Sequence, residues 1–420
     1  MSAPSRTPPG ALDRIVFPPY RPGRTPTGSA TQRQRIKSID IVRGAVMVLM
    51  ALDHVRVFSG VPAGGPTPAL FLTRWVTNFC APIFFFLAGT GAYLYARKVV
   101  DRGVVARWLA VRGAWLVLLE LTVLRLAWTF NVDYAHFILA GVIWSLGLSM
   151  IVLAALVFLP LPLIAAFGVG TIVLHDAVRA LLVHSVPQLV DGGAPWYASL
   201  LYFGGPIQLG GPDGPTLFVL YSLFSWVGLM AAGYAFGVVF TLEPARRQRM
   251  LITLGAAAVA AFLVLRGLDL YGDPRPWSGA SNGPAAWMRF LATSKYPASL
   301  LFILMTLGPM FLVMPLLERA HGPISNVLSV FGRVPLFFYL LHIPLIHAFA
   351  MLVSLARGDG GIPWLIGNHP VMIGPAPEGY RWSLPLLYAV TAFCVAMLYL
   401  PCRWFAAQRA AHPESWMRYL

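Results

Sequence analysis

Charge is scarce in this chain. Asp, Glu, Lys and Arg supply only 11% of its 420 residues, while hydrophobic types supply 58%; a soluble domain carries about 25% charged residues. A water-soluble fold this poor in charge could not cover its surface, and a disordered chain needs the opposite balance. Both are excluded, and the expected fold class is an all-α polytopic membrane protein. Cysteine is nearly missing too. Cys80, Cys394 and Cys402 are too few and odd in number for a disulfide framework; each lies in or beside an apolar run, where a thiol packs as a small hydrophobe. No Gly-x-x-x-x-Gly-Lys loop occurs, which excludes a P-loop ATP motor within this chain. No Cys/His/carboxylate cluster has metal-ligand spacing, so no metal is expected. No internal repeat is visible, which disfavours a repeat-built transporter. Lys and Arg outnumber Asp and Glu by 31 to 16, but the cations sit in short segments between apolar runs rather than in one patch, so no nucleic-acid partner is expected.

What is present is a series of apolar runs, each long enough to cross a membrane, which takes about 20 residues. Ten are expected, at 38–58, 71–96, 107–130, 136–159, 161–182, 216–241, 250–267, 297–318, 326–354 and 383–405. The fifth is the weakest, with His175, Asp176 and Arg179 crowding its end. None alternates as a lipid-exposed barrel strand must. Residues 1–37 hold seven prolines and seven Lys/Arg with no apolar core, the composition of a flexible basic tail rather than a secretory signal. Placing that tail inside also places Arg97, Lys98, Arg102 and Arg107, then Arg246, Arg247 and Arg249, then Arg403, Arg409 and Arg418 inside, as the positive-inside rule requires. Both termini are then cytoplasmic, and the Gly-, Pro- and Trp-rich loops at 183–215, 268–296 and 355–382 face outward. The expected organisation is a tail (1–37), a transmembrane domain (38–406) and a C-terminal tail (407–420).

Ionisable residues inside these runs are the candidates for chemistry, since each costs about 2.5–3.5 kcal/mol at a helix centre. Asp40, Arg43, Met47, Met50 and His54 recur at steps of 3, 4, 3 and 4, one helical face with polar ends and an apolar middle. Arg43 either snorkels to the inner headgroups or serves a site; Asp53 either is tied to Arg56 three residues on, or to another cation, or serves a site with His54. His54 can change protonation near neutral pH and is the best base on this face. Glu120 lies deep in the third span and needs a partner, expected to be Arg74 or Arg56. Arg74 and Asn78, four residues apart, face one way, with Pro82 able to open the backbone below them; Gly89 and Gly91 suit close helix packing. Lys295 is an interfacial anchor or a contact for an anion. His342 reads as a satisfied interior histidine, and the five-residue spacing to His347 is not that of a helical metal pair. His175, His184, His321, His369 and His412 read as solvated.

Several of these residues fall in longer motifs: Ser38-Ile-Asp40-Ile-Val-Arg43-Gly44 with Asp53-His54, Phe79-Cys-Ala-Pro82-Ile-Phe-Phe-Phe-Leu-Ala-Gly89-Thr90, Trp144-Ser-Leu-Gly-Leu-Ser149, Thr293-Ser294-Lys295-Tyr296-Pro297 and Phe331-Gly-Arg333-Val-Pro335 running to Tyr339 and His342. Together they resemble the bacterial branch related to heparan-alpha-glucosaminide N-acetyltransferase. The resemblance implies transfer of an acetyl group from cytoplasmic acetyl-CoA, a co-substrate, to an amine or hydroxyl of a glycan or sugar acceptor on the far side. It implies a bacterial inner membrane, leaves a homodimer open, and in the lysosomal enzyme implies an essential histidine in the first outward loop. Residues 59–70 of this chain contain no histidine, and His54 stands at a neighbouring polar position. On this reading His54, Asp53 and Glu120 are the catalytic candidates. Arg43, Asp40, Arg97 and Lys98 are the CoA contacts, and Arg74, Asn78, Lys295 and His342 the acceptor contacts. Two competing classes are a transporter or flippase relaying protons through Asp53, Glu120 and His342, marked by substrate-dependent proton movement, and a non-catalytic scaffold, marked by indifference to acetyl-CoA.

Overall fold

The computed structural model describes residues 36–65, 67–185, 195–211, 213–278, 284–368, 375–412 and 417; nearly all of the basic tail lies outside them. α1, Lys37–Phe58, opens the bundle. α2, Pro68–Trp75, is capped by the Thr67 hydroxyl and passes through a tight turn at Val76–Phe79 into α3, Cys80–Ala96. Pro82 lies just past the break and has no N–H to return to the Asn78 carbonyl, which favours a kink at this point. α4, Arg102–Leu119, capped by Asp101, widens into a π-turn at Glu120–Leu124 before α5, Arg125–Thr129.

β1 (Phe137–Ala140), α6 (Val142–Leu156), α7 (Leu161–Ser185) and α8 (Trp196–Ala198) follow, then β2 (Gly205–Gln208) and β3 (Thr216–Val219). The strands form one small sheet in the order β1-β3-β2, with β3 parallel to β1 and antiparallel to β2, and Phe137 opposite Thr216. The expected spans 136–159 and 216–241 are therefore each a short strand leading into a helix. The rest is helical: α9 (Leu223–Phe236), α10 (Pro244–Gly267), α11 (Ala286–Leu291), α12 (Leu300–Glu318), α13 (Pro323–Arg333), α14 (Pro335–Arg357), α15 (Ile362–Leu365) and α16 (Leu384–Ala411). The single span expected over 326–354 is two helices. Pro335 disfavours helical backbone at Val334, which sits at φ −131°, ψ 51°. α16 continues past residue 406 to Ala411.

Seven helical segments of the described chain are long and apolar enough to cross a membrane: Pro68–Ala96, Leu161–Ser185, Leu223–Thr241, Pro244–Gly267, Leu300–Glu318, Pro335–Arg357 and Leu384–Ala411. α6 is apolar but short. α1 carries five charged residues, Lys37, Asp40, Arg43, Asp53 and Arg56, which lower its hydropathy. Its polar side chains turn toward protein instead of lipid, the arrangement expected of charge at membrane depth.

α1 is the hub, packed by α3, α12, α13, α14 and α16. One end of the bundle is basic. There Lys37 donates to the Ala320 carbonyl (2.9 Å), and Arg247 clasps Glu318 with two bonds of 2.7 and 3.1 Å. The opposite end is built from loops held by buried arginines. Arg266 donates to the carbonyls of Arg275, Arg289, Phe290 and Ala292, and Arg125 to those of Asn131, Asp133 and Phe137.

The α1–α13 crossing has no room for a side chain on the facing glycines. A Cβ on Gly44 would lie 1.8 Å from the Leu328 carbonyl oxygen, and one on Gly332 the same distance from that of Asp40. Small residues let membrane helices approach backbone to backbone. Gly44→Ala is expected to force the helices apart and destabilise the protein by about 1–3 kcal/mol, read as a lowered melting temperature in detergent. Gly170→Ala, with nothing within 4 Å of the new methyl, is the control and should leave the melt unchanged; equal behaviour of the two would overturn the packing argument.

Candidate active site

A cavity of about 360 Å³ runs along one face of α1, walled by α3, α4, α6 and α14. That volume suits a ligand pocket, which ranges over about 300–1,000 Å³. Arg43, Met47, Met50 and His54 all line it, as their helical spacing predicts, and Asp53 joins them. Helical rise separates Arg43 from His54 by roughly 16 Å. Beside Arg43 stand Arg112 of α4, Arg333 at the end of α13 and Arg409 of α16. Beside His54 stand Tyr221, Lys295 and Tyr339. The stretch between them is apolar, with Met47, Phe84 and Leu146. Arg43 is held in place by a 2.7 Å bond from Nη2 to the Leu87 carbonyl. Gly91 faces that guanidinium, since a Cβ there would lie 3.0 Å from Nη2, whereas Gly89 packs directly on the Met230 carbonyl of α9.

His54 does not act alone. Its Nδ1 lies 2.7 Å from Nε2 of His342, and Nδ1 of His342 lies 2.7 Å from the Tyr339 carbonyl oxygen and 3.2 Å from that of Phe338. A carbonyl can only accept, so the His342 proton sits on Nδ1 and its Nε2 accepts from His54 Nδ1–H. The network thereby leaves Nε2 as the basic nitrogen of the ring that lines the cavity. Trp128 and Tyr339 set their rings against His54 edge to face, 4.7 and 6.1 Å between centroids, and fix its orientation. His342 is fully buried and is a satisfied interior histidine, as its sequence context indicates, yet one whose partner is the candidate base.

Asp53 is tied to Arg56: Oδ1 receives Arg56 Nε and Nη2 at 3.1 and 3.0 Å, with Arg74 Nη1 at 3.8 Å. Arg74 Nη1 also donates to Thr77 Oγ1 (2.8 Å) and Asn78 Oδ1 (3.0 Å). Arg74 and Asn78 therefore stand behind Asp53, outside the cavity lining, with their polar atoms turned to each other.

Glu120 takes a different partner from the one expected. Its Oε2 accepts from the backbone N–H groups of Ile143 (2.9 Å) and Trp144 (3.3 Å), and neither Arg56 nor Arg74 reaches it. These amides belong to the first turn of α6, whose N-cap residue Gly141 has no side chain to offer. The carboxylate caps α6 from the neighbouring helix, where the positive end of the helix dipole favours an anion. It is fully buried, with a Cβ on Gly141 excluded by Oε1 at 2.5 Å, and it does not line the cavity. Asp40 is likewise buried outside the lining, at the α1–α13 contact, and Arg97 and Lys98 lie exposed on the turn after α3.

The histidines expected in solvent divide. His184, His321 and His412 are exposed; His369 lies outside the described residues. His175 is buried against the Tyr202 ring at 4.7 Å, because α7 turns that face toward the bundle. His347 bonds the carbonyls of Ala127 and Leu365 (3.0 and 2.9 Å) and is structural. All three cysteines are buried and unpaired with one another; Cys80 borders the cavity, with its thiol on the Val46 carbonyl at 3.4 Å. Sequence reasoning missed Arg112 and gave Arg333 and Arg409 no place in the site. The Phe-Gly-Arg-Val-Pro motif was the available signal for Arg333. Arg112 and Arg409 offered none beyond their positive charge. No His/Cys/Asp/Glu group able to hold a metal occurs among the described residues.

The family model described as heparan-alpha-glucosaminide N-acetyltransferase, catalytic, matches residues 35–271, more than half of the chain. No curated protein matches the chain. The matched segment contains α1 with Arg43, Asp53 and His54 and most of the cavity wall, and on that match the chain belongs to the heparan-alpha-glucosaminide N-acetyltransferase catalytic family.

Proposed function

We propose that this protein is a transmembrane acetyltransferase that takes the acetyl group of cytoplasmic acetyl-CoA and passes it to an amine or hydroxyl of a sugar or glycan on the outer side. The observation that carries this reading is the cavity itself, with four arginines at one end, a networked histidine at the other and an apolar channel between. The arginines suit the phosphates of CoA, since guanidinium pairs phosphate in a bidentate fork. The apolar stretch suits a pantetheine arm, and the thioester at its tip supplies an activated acyl group. His54 Nε2 takes the proton from the acceptor as it attacks the acyl carbon. His54 Nδ1–H, held by His342, keeps the ring in that tautomer while the charge develops, much as a carboxylate does in a hydrolase triad. Collapse of the tetrahedral intermediate breaks the C–S bond, and His54 returns the proton to the leaving sulfur.

The same reading sets the topology: ten crossings, the arginine end and both termini inside, in a bacterial inner membrane. α1, α4 and α6 complete the count: the polar side chains of α1 and one face of α4 and α6 line the cavity, while Val111, Trp115 and Leu118 of α4 and Ile151 of α6 are exposed on the outside, as lipid contact requires. Cysteines placed at Gly103 and Gly214 should then label from opposite sides of a sealed vesicle. Labelling from one side would overturn the arrangement.

Arg43→Ala and Arg112→Ala should each weaken CoA binding about 10- to 100-fold, the loss of a charge-assisted contact of about 1.5–3 kcal/mol. Unchanged affinity in calorimetric titrations of both would remove the phosphates from this end.

His54→Ala should lower turnover by about 10²–10⁴ with CoA affinity kept. His342→Ala should lower it by at least about tenfold, and His342→Gln, whose amide oxygen can accept from His54 Nδ1, should restore part of the loss. A Gln variant no better than Ala would mean that His342 only fills space.

A further inference from the structure

We propose that Lys295 and the hydroxyl of Tyr221 form the oxyanion site of the transfer step, receiving the negative charge that develops on the acyl oxygen. The inference deepens the acetyltransferase reading and rests on it for the identity of the donor. Lys295 lines the His54 end of the cavity and is only 7% exposed, yet it makes no hydrogen bond or ion pair among the described residues. Its ammonium meets aromatic faces alone, 5.8 Å from the Tyr221 ring centroid and 5.2 Å from that of Tyr296. Two such contacts do not replace the water an ammonium gives up on burial. A methionine would fill the same space without that cost, so packing does not account for the charge. Nor do the phosphates of CoA, which fit the arginines roughly 16 Å away along α1.

Tyr221 stands beside the ammonium with a proton to give. The Tyr296 hydroxyl donates to that of Tyr221 at 3.3 Å. Tyr221 accepts in that bond, and its own O–H is left to donate; the residue is buried and lines the cavity. Other donors at this end are committed. Arg56 and Arg74 hold Asp53, Arg74 also holds Thr77 and Asn78, and neither arginine lines the cavity. The Cys80 thiol is turned to the Val46 carbonyl.

Attack on a thioester separates charge. The acceptor's nitrogen or oxygen bonds to the acyl carbon, the C=O electron pair moves onto oxygen, and the acceptor's proton moves to His54 Nε2. A cation and an anion form together. The field of Asp53 reaches His54 and steadies the new imidazolium, while Lys295 and Tyr221 answer the alkoxide. On collapse the electron pair returns to carbon, the C–S bond breaks, and sulfur takes the proton from His54. Donors already fixed around a developing charge lower the barrier because nothing has to reorganise. The field of Lys295 itself reaches both His54 and Asp53, which gathers the three around one reaction centre.

The test uses the full-length protein in nanodiscs of neutral lipid and two CoA thioethers that need no acceptor. Acetonyl-CoA carries a trigonal ketone and mimics the bound donor. Trifluoroacetonyl-CoA hydrates to a tetrahedral centre with an acidic hydroxyl and mimics the intermediate. Both place the carbonyl one methylene beyond that of acetyl-CoA, an offset that the flexible four-carbon stem of lysine spans. In calorimetric titrations the wild-type protein should bind the trifluoro compound at least about 100-fold more tightly than acetonyl-CoA. Lys295→Met and Tyr221→Phe should each cut that preference at least about tenfold, and Lys295→Arg should keep most of it. Acetonyl-CoA affinity, unchanged in all three variants, reports that they are folded. Comparable wild-type affinities for the two compounds, or a full preference kept by Lys295→Met or by Tyr221→Phe, overturns the proposal and leaves the donor reading standing. If neither compound binds the wild-type protein, the donor reading falls and the oxyanion site with it.

Discussion

A charge inside a membrane bundle must be neutralised by something, and the rest of this structure follows from where that something comes from. Two sources serve here. Loops and helix ends lend backbone groups: the amides of α6 meet Glu120, and the carbonyls around Arg125 and Arg266 meet guanidinium. Side chains supply the rest, as Arg56 and Arg74 do for Asp53. These ties cost nothing in exposed polar surface, and they pin the loop end into a rigid rim. The lining holds further charge. There the arginines near Arg43 and the ammonium of Lys295 face a space wide enough for a ligand.

The separation of charge along α1 is what makes that space chemical. Its helix carries a cation at one end of the lining and an imidazole at the other, with methionines between. Because α1 is pressed onto α13 through Gly44 and Gly332, and onto α14 through the His54–His342 contact, neither end can shift without moving the whole hub. Rigid support of this kind is what holds a base in one tautomer and one direction. The His54–His342 pair is held without a carboxylate: the carbonyl of Tyr339 anchors the chain of donors, so no additional charge needs to enter the membrane.

Much of this was legible in the residues. The 3-4-3-4 spacing from Asp40 to His54 marked the lining face correctly from Arg43 onward, because a helix fixes which side chains share a side whatever surrounds it. The Asp53–Arg56 tie and the buried cysteines were equally visible. What failed was pairing across helices. Glu120 found amides instead of an arginine because a bare glycine at the start of α6 left those amides without a cap, a fact local to a segment more than twenty residues away. His175 is buried although Asp176 and Arg179 follow it closely, since the packing of α7 decides which of its faces meets the bundle. The strands β1 and β3 lay hidden inside apolar runs that periodicity reads as helix.

The absence of a histidine from residues 59–70, set against the family's first-loop histidine, gains a physical meaning from the dyad. A base on a loop depends on that loop's order, and a base on α1 depends on the hub. With Nδ1 held by His342 and two aromatic edges against the ring, His54 has the support that a loop histidine would have to find elsewhere.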